Sequence, residues 1–236
     1  MECLAEVGDA ESYRSVLTAK AGLLGAVAAD PGRPELLARR VGSVTVRVTV
    51  TPAGRAEGSG FLISDRLVVT SRHLLADPAG RRRAAVDAGQ VSVGLAAGPA
   101  AVERVFLPDA PHADVAVLRL AAAADAAPLR LGYPDLVRIG DPVRAAAPAP
   151  AGGGPAGLVS GLLEKFETFP EQGLRLFRTG LQLEPRCSGG PLVNDLGEVI
   201  GVLTIGLTAA AASEGAFALT VDALNPLLAQ AGFPGR

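Results

Sequence analysis

Three segments, far apart in the chain, hold the residue types that make a serine hydroxyl reactive. Ser188 stands in Pro185-Arg186-Cys187-Ser188-Gly189-Gly190-Pro191-Leu192-Val193, His73 ends Thr70-Ser71-Arg72-His73, and Asp114 opens Asp114-Val115-Ala116-Val117-Leu118. A serine attacks poorly at neutral pH unless an imidazole takes its proton and a carboxylate fixes that imidazole in one tautomer. The order His, Asp, Ser therefore predicts acyl-transfer chemistry, with His73 as general base, Asp114 as its orienting acid and Ser188 as nucleophile. Singly, each has a plainer reading: a lone histidine is usually structural, Asp114 is a turn residue, and Ser-Gly-Gly-Pro is a turn. The three together, in a chain with only 2 histidines, favour the chemical reading. His112 reads as a neighbouring polar residue rather than a second base.

The local contexts suit these roles. His73 follows the apolar run Leu67-Val68-Val69, which sets it at a strand end facing a cleft. Asp114 lies at the mouth of an apolar strand, where a carboxylate needs a hydrogen-bond partner to offset its desolvation. Gly189-Gly190 permit a tight turn and close backbone approach, and Pro191-Leu192-Val193 starts a strand that anchors it. The backbone N–H groups of Arg186 and Ser188 are then expected to bind an oxyanion, a contribution of about 3 kcal/mol per donor.

The rest of the chain must hold the three segments together. Residues 11–29 place Val16, Leu17, Ala21, Leu24, Val27 and Ala28 at three- and four-residue spacings, the pattern of an amphipathic helix, which Asp30-Pro31-Gly32 ends. A short helical turn is expected over 35–40, after which Val44, Val46, Val48 and Val50 alternate with polar residues as in a half-buried strand. Further strand-like runs fall at 60–63, 67–70, 91–95, 102–107, 115–120, 143–147, 157–163, 174–181, 191–193, 199–205 and 216–219. Short strands punctuated by Gly, Pro and Asp predict an all-β barrel or sandwich. A closing helix is expected over 221–231 and a loop over 148–156, and no internal repeat is visible.

Composition narrows the function classes. With 236 residues, 49% hydrophobic and 19% charged, the chain can fill the core of one sizeable domain or of two lobes. A net charge of -2, with Arg81-Arg82-Arg83 as its compact basic run, gives no electrostatic footprint for nucleic acid. That run reads as a solvated loop. The start, Met1-Glu2-Cys3-Leu4-Ala5-Glu6, is acidic where an export signal is basic, and no long apolar stretch follows, so neither signal nor membrane span is expected. Cys3 and Cys187 lie far apart, and Cys187 adjoins the nucleophile; a structural disulfide is not expected, and a reducing, cytoplasmic setting fits best.

These motifs resemble those of the trypsin-like (chymotrypsin-fold) serine proteases, and among them the bacterial HtrA/Deg type. Gly58-Ser59-Gly60-Phe61-Leu62-Ile63 followed by Leu67 to His73 is similar to the strands that lead into that family's histidine, and Asp114 to Leu120 is similar to its aspartate strand. Leu129-Arg130-Leu131-Gly132-Tyr133-Pro134-Asp135 with Arg138-Ile139-Gly140-Asp141-Pro142-Val143 resembles its middle segment. Gly157-Leu158-Val159-Ser160-Gly161-Leu162 resembles the start of its second barrel, and Gly197-Glu198-Val199-Ile200-Gly201-Val202 the strand after its nucleophile. The likeness covers residues 41–230.

The resemblance implies an all-β fold of two six-stranded antiparallel barrels, with an N-terminal helical extension over 1–40 and a protease domain over 41–236. Barrel one would span 41–125, barrel two 135–220 and a C-terminal helix 221–231. It implies a serine endopeptidase that hydrolyses peptide bonds of a polypeptide substrate through an acyl-enzyme, without cofactor or metal. Thr204 would match a Ser/Thr beside the acid, Ile205 and Gly206 an edge strand that pairs with substrate backbone, and Gly206 and Gly215 the lining of the primary specificity pocket. Where enzymes that prefer Arg or Lys carry Asp, six residues before the nucleophile, this chain has Gln182, which implies an uncharged, aliphatic residue before the cleaved bond.

One departure is chemical. The family pattern before the nucleophile is Gly-Asp-Ser or Gly-Asn-Ser, whereas this chain has Arg186-Cys187-Ser188. That glycine supplies an oxyanion donor in a backbone conformation a Cβ disfavours, so Arg186 is expected to strain or close the hole. The alternative reading is accordingly a catalytically impaired pseudoprotease or peptide-binding module; a third, compatible with either, makes the chain a regulated module of a larger bacterial signalling or defence protein, with the N-terminal helix docking a neighbouring domain or partner. A further alternative makes Cys187 the nucleophile, although Gly189-Gly190-Pro191 keep the register of a serine. No PDZ-like stretch follows the second barrel, so substrate capture by that module is not expected.

Overall fold

The computed structural model describes residues 33–51, 56–75, 87–110, 112–146, 157–204 and 216–233. The helix expected over 11–29, the basic run at 81–83 and the loop over 148–156 lie outside them. Leu37, Val41 and Val44 fall on one face of helix α1 (Arg33–Val44), and all three are buried. This helix runs further than the turn expected over 35–40 and takes in Val44, which alternation assigned to a strand. The hydroxyls of Ser43 and Thr45 explain the difference: they donate to Arg40 O at 2.9 Å and Val41 O at 2.8 Å, satisfying carbonyls of the last turn.

Strands β1 (Thr45–Val50), β2 (Ala56–Leu62), β3 (Leu67–Thr70), β4 (Val91–Leu95), β5 (Gly98–Phe106) and β6 (Ala116–Leu120) close an antiparallel barrel in the order β1-β2-β3-β6-β5-β4. A second barrel is formed by β7 (Pro142–Ala146), β8 (Leu158–Phe169), β9 (Leu174–Thr179), β10 (Pro191–Val193), β11 (Val199–Thr204) and β12 (Ala216–Thr220), in the ring order β10-β11-β12-β9-β8-β7. The two-barrel, all-β architecture is the one the sequence implied. β8 is the main surprise, extending to Phe169 as one arm of a hairpin with β9. Its outer half carries Glu164, Lys165, Glu167 and Thr168, so apolar alternation is lost there. Ladder bonds to β9 and the edge-on packing of Phe166 against Phe177, 5.5 Å between centroids, maintain it instead.

The chain closes with a 3-10 turn (Val221–Leu224) and the short helix α2 (Asn225–Gln230) in place of the single helix expected over 221–231. An α-helical bond to Asp222 O would have to come from residue 226, which is Pro226 and has no N–H. Asn225 N–H supplies the tighter bond instead. Apolar faces meet in two cores. The larger fills the first barrel with Val48, Phe61, Val69, Val93 and Leu118 and continues into Leu224 and Leu227 of the closing segment. The smaller, with Val143, Leu163, Phe177, Leu192, Ile200 and Leu203, fills the second barrel.

Candidate active site

His73 lies in a 3-10 turn (Arg72–Leu74) that follows β3 after one residue, and Asp114 lies in the loop just before β6, the strand paired with β3. The pairing of β3 with β6 thus brings the two side chains together. Asp114 Oδ1 accepts the backbone N–H of His73 at 2.9 Å, and His73 Nδ1 stands 2.9 Å from Oδ2 and 3.1 Å from Oδ1. From the second barrel, Thr204 Oγ1 donates to Oδ2 at 2.7 Å. An ionised carboxylate only accepts, so Nδ1 carries the proton and Nε2 is the basic nitrogen. The Asp114 side chain is 13% exposed and the imidazole 38%, an arrangement that shelters the acid and leaves the ring partly open to solvent.

The backbone turn at Ser188 is held from both barrels. Ser188 O accepts from Ser59 N at 2.8 Å, Ser59 Oγ donates to Arg186 O at 2.6 Å, and Gly189 N donates to Leu203 O at 2.8 Å. Gly189 has φ +85°, and a Cβ there would lie 2.3 Å from Ser59 O and 2.7 Å from Ser71 N. Glycine is therefore required twice over, by conformation and by space. Ser188 itself is 1% exposed, and its Oγ lies 3.3 Å from Ser71 Oγ.

The two expected oxyanion donors do not converge in this conformation. Residues Pro185–Cys187 form a 3-10 turn in which Ser188 N–H donates to Pro185 O at 3.0 Å and Cys187 N–H to Glu184 O at 2.9 Å. In a planar trans peptide the C=O and N–H point in opposite directions, so with Pro185 O facing Ser188 N–H, the Arg186 N–H of the same unit faces away. The exposed guanidinium of Arg186 pairs with Glu184, Nε to Oε2, at 2.6 Å. Cys187 turns into the second core, 3% exposed. Burial pushes its thiol pKa up, against the smaller lowering effects of a backbone hydrogen bond at Glu184 and the charge of Arg186. The thiol is held protonated, which disfavours it as a nucleophile.

Thus His73, Asp114 and Thr204 are brought into direct contact, and Ser188 sits at the same seam between the barrels. Gln182 is exposed, as is His112; Ile205, Gly206 and Gly215 lie outside the described residues. Sequence reasoning missed Ser59 and Ser71 as partners of the turn at Ser188. Both are small hydroxyl residues inside quoted motifs, and nothing in a single sequence says that they face the second barrel. Among the described residues no group of three or more His, Cys, Asp or Glu side chains could hold a metal ion, and no helix is long and apolar enough to cross a membrane.

The family profile described as a trypsin-like peptidase domain matches residues 58–202. The mitochondrial serine protease HTRA2 of Bos taurus is 33% identical over 184 residues, 73% of this chain and 36% of that protein. The serine protease PepD of Mycobacterium tuberculosis (strain ATCC 25618 / H37Rv) is 31% identical over 81% of this chain and 45% of its own length. A probable periplasmic serine endoprotease, DegP-like, of Pseudomonas fulva (strain 12-X) is 33% identical over 61% of this chain and 28% of its own. The chain therefore spans less than half the length of these relatives. Among solved structures, the Rv3671c protease from M. tuberculosis in its active form matches with a TM-score of 0.68 at 23% identity, over 87% of this chain and 88% of that one, a likeness of fold.

Proposed function

Since the chain belongs to the trypsin-like peptidase family, we propose that it is a serine endopeptidase that cleaves polypeptides through an acyl-enzyme, with His73, Asp114 and Ser188 as its triad. The observation that carries this reading is the Asp114 carboxylate, gripped by His73 from the first barrel and by Thr204 from the second. With Nδ1–H held by Asp114, Nε2 takes the Ser188 hydroxyl proton as Oγ bonds to the substrate carbonyl carbon. The same nitrogen returns that proton to the leaving amine as the C–N bond breaks. Water then repeats the sequence, releasing the carboxylic acid and restoring the Ser188 hydroxyl. Asp114 stabilises the imidazolium in each step without taking its proton.

The developing oxyanion needs donors that the described turn does not aim at one point. Rotating the Pro185–Arg186 peptide by about half a turn would break the bond between Ser188 N–H and Pro185 O and present both N–H groups, worth about 3 kcal/mol each in the transition state. The described conformation is, on this reading, a resting state. Arg186 favours it, because a 3-10 backbone suits an L-residue while the open form asks for a conformation glycine adopts more easily. The impaired-protease alternative predicts that the rotation does not occur at all. Gln182 supports an uncharged residue before the cleaved bond, and the buried thiol of Cys187 suits a reducing compartment.

A fluorophosphonate probe, which phosphonylates an activated serine, tests the reading. We expect labelling of the natural chain, none of Ser188→Ala, a loss of about 10³-fold or more in His73→Ala, and a gain of about tenfold or more in Arg186→Gly. A natively folded chain that takes no label would overturn the active-enzyme reading. Labelling that appears only in Arg186→Gly would establish the impaired one.

A further inference from the structure

We propose that Ser59 is a positioning residue for the oxyanion turn. Its hydroxyl pins the Arg186–Cys187 peptide, the unit between the two expected donors, so that only the Pro185–Arg186 peptide turns when the hole opens. The inference rests on Ser188 being the nucleophile and on that rotation as the opening step. Ser59 stands in β2, where Gly58 to Leu62 are all buried, and is itself 0% exposed. A buried hydroxyl in such a strand needs a partner. It finds one 127 residues away, in the turn at Ser188.

Its N–H donates to Ser188 O at 2.8 Å, its Oγ to Arg186 O at 2.6 Å, and its own carbonyl accepts Thr70 Oγ1 at 2.7 Å. Arg186 O and Ser188 O are carbonyl oxygens, which only accept, so chemistry settles the direction of both bonds. At 2.6 Å the hydroxyl bond is slightly shorter than the usual O–H···O distance of about 2.7 to 2.8 Å. Thr70, 0% exposed in the adjoining strand β3, ties Ser59 into the first barrel. From this fixed point the first barrel grips the carbonyls on either side of Cys187.

The Arg186–Cys187 peptide is held at both ends, its C=O by Ser59 and its N–H by Glu184 O at 2.9 Å. The Pro185–Arg186 peptide is tied instead by the bond from Ser188 N–H to Pro185 O, which does not involve Ser59. A planar peptide turns by a joint change in ψ of one residue and φ of the next, and its neighbours keep their places only when something holds them. Arg186 N–H precedes the pinned peptide and Ser188 N–H follows it. If that peptide drifts, the two donors lose their fixed spacing and no longer meet on one oxygen. The sign of the effect follows. A hydroxyl that served only the closed turn would slow opening, and its loss would speed the reaction; a pin of the open turn, once lost, slows it.

The experiment measures saturation kinetics of fluorophosphonate labelling across pH, in reducing buffer, for the natural chain, Ser59→Ala, Ser59→Cys, Ser188→Ala, Arg186→Gly and Ser59→Ala combined with Arg186→Gly, with thermal melts of each. We expect Ser59→Ala to lower the limiting rate by about ten- to hundredfold. The half-saturation concentration and the midpoint of the pH profile stay unchanged, since Ser59 acts on neither probe docking nor His73. A similar loss is expected between Arg186→Gly and the combined variant, which carries the comparison where the natural chain takes no label. Ser59→Cys, which keeps a weaker donor, should fall between the natural chain and Ser59→Ala, and it carries the test where the alanine variant fails to fold. A limiting rate at or above that of the parent in a folded variant, or a loss accompanied by a shifted pH midpoint, overturns the role of Ser59. A loss that vanishes in the Arg186→Gly background does the same. Labelling that is absent throughout, or that persists in Ser188→Ala, overturns the nucleophile assignment and this inference with it.

Discussion

Cys187 stands next to the proposed nucleophile, and it fills a place in the second-barrel core with an ionisable group. Its side chain is 3% exposed within the second-barrel core, and burial raises the thiol pKa above its ordinary value of 9.0. The sign of the effect on stability follows. Below the ordinary value both folded and unfolded chains hold the proton, and the thiol contributes nothing to pH dependence. Above it the unfolded chain releases the proton while the folded one retains it, so stability falls as pH rises through that window. We expect the urea midpoint of the natural chain to drop more steeply between about pH 8 and pH 10 than that of Cys187→Ala, each referred to its own neutral value. Equal slopes would show that the thiol ionises alike in both states.

At the scale of elements, the turn at Ser188 depends on what β2 and β3 leave vacant for it. Gly189→Ala would force a Cβ to 2.3 Å from Ser59 O and 2.7 Å from Ser71 N at φ +85°, with backbone on both sides. We expect a loss of about 2 kcal/mol or more in stability, or displacement of the turn with loss of Ser188 labelling; a variant that melts and labels normally would show that the seam gives way easily. Every strand of both barrels was foreshadowed by short apolar runs between turn residues, because burial inside a barrel imposes that pattern. The outer half of β8 was not, since cross-strand bonds hold it with few buried side chains. The end of α1 was misassigned for a related reason: Val44 suits a strand by type, and the capping hydroxyls of Ser43 and Thr45 decide otherwise. In the site, His73, Asp114 and Ser188 stood out by type and order and Thr204 only through the family resemblance, whereas the partners Ser59 and Ser71 depend on how one barrel lies against the other. The closed turn at Pro185–Cys187 was signalled by Arg186, though its hydrogen bonds were not.

Taken whole, the molecule repeats one strand order in two barrels that share no visible sequence repeat. The barrels are not independent. The larger core runs from the first barrel through Val193, Val199, Val202 and Leu219 of the second to Leu224 and Leu227 of the closing segment. Arg119 of β6 also donates to Ala231 O beyond α2. Heat should therefore melt the chain in one transition. Leu227→Ala, at a fully buried position, should cost about 2 to 5 kcal/mol and lower that transition without splitting it. Two separated calorimetric transitions would mean that each barrel unfolds alone. The proposed base and acid come from one barrel and the proposed nucleophile from the other, tied by bonds such as Ser59 N to Ser188 O. Reaction rate then becomes a ruler for the gap between two bodies, since a slip of about 1 Å in a reacting geometry costs on the order of 10²-fold. A ligand lodged on the far rim of either barrel could thus throttle turnover while leaving every reacting atom untouched.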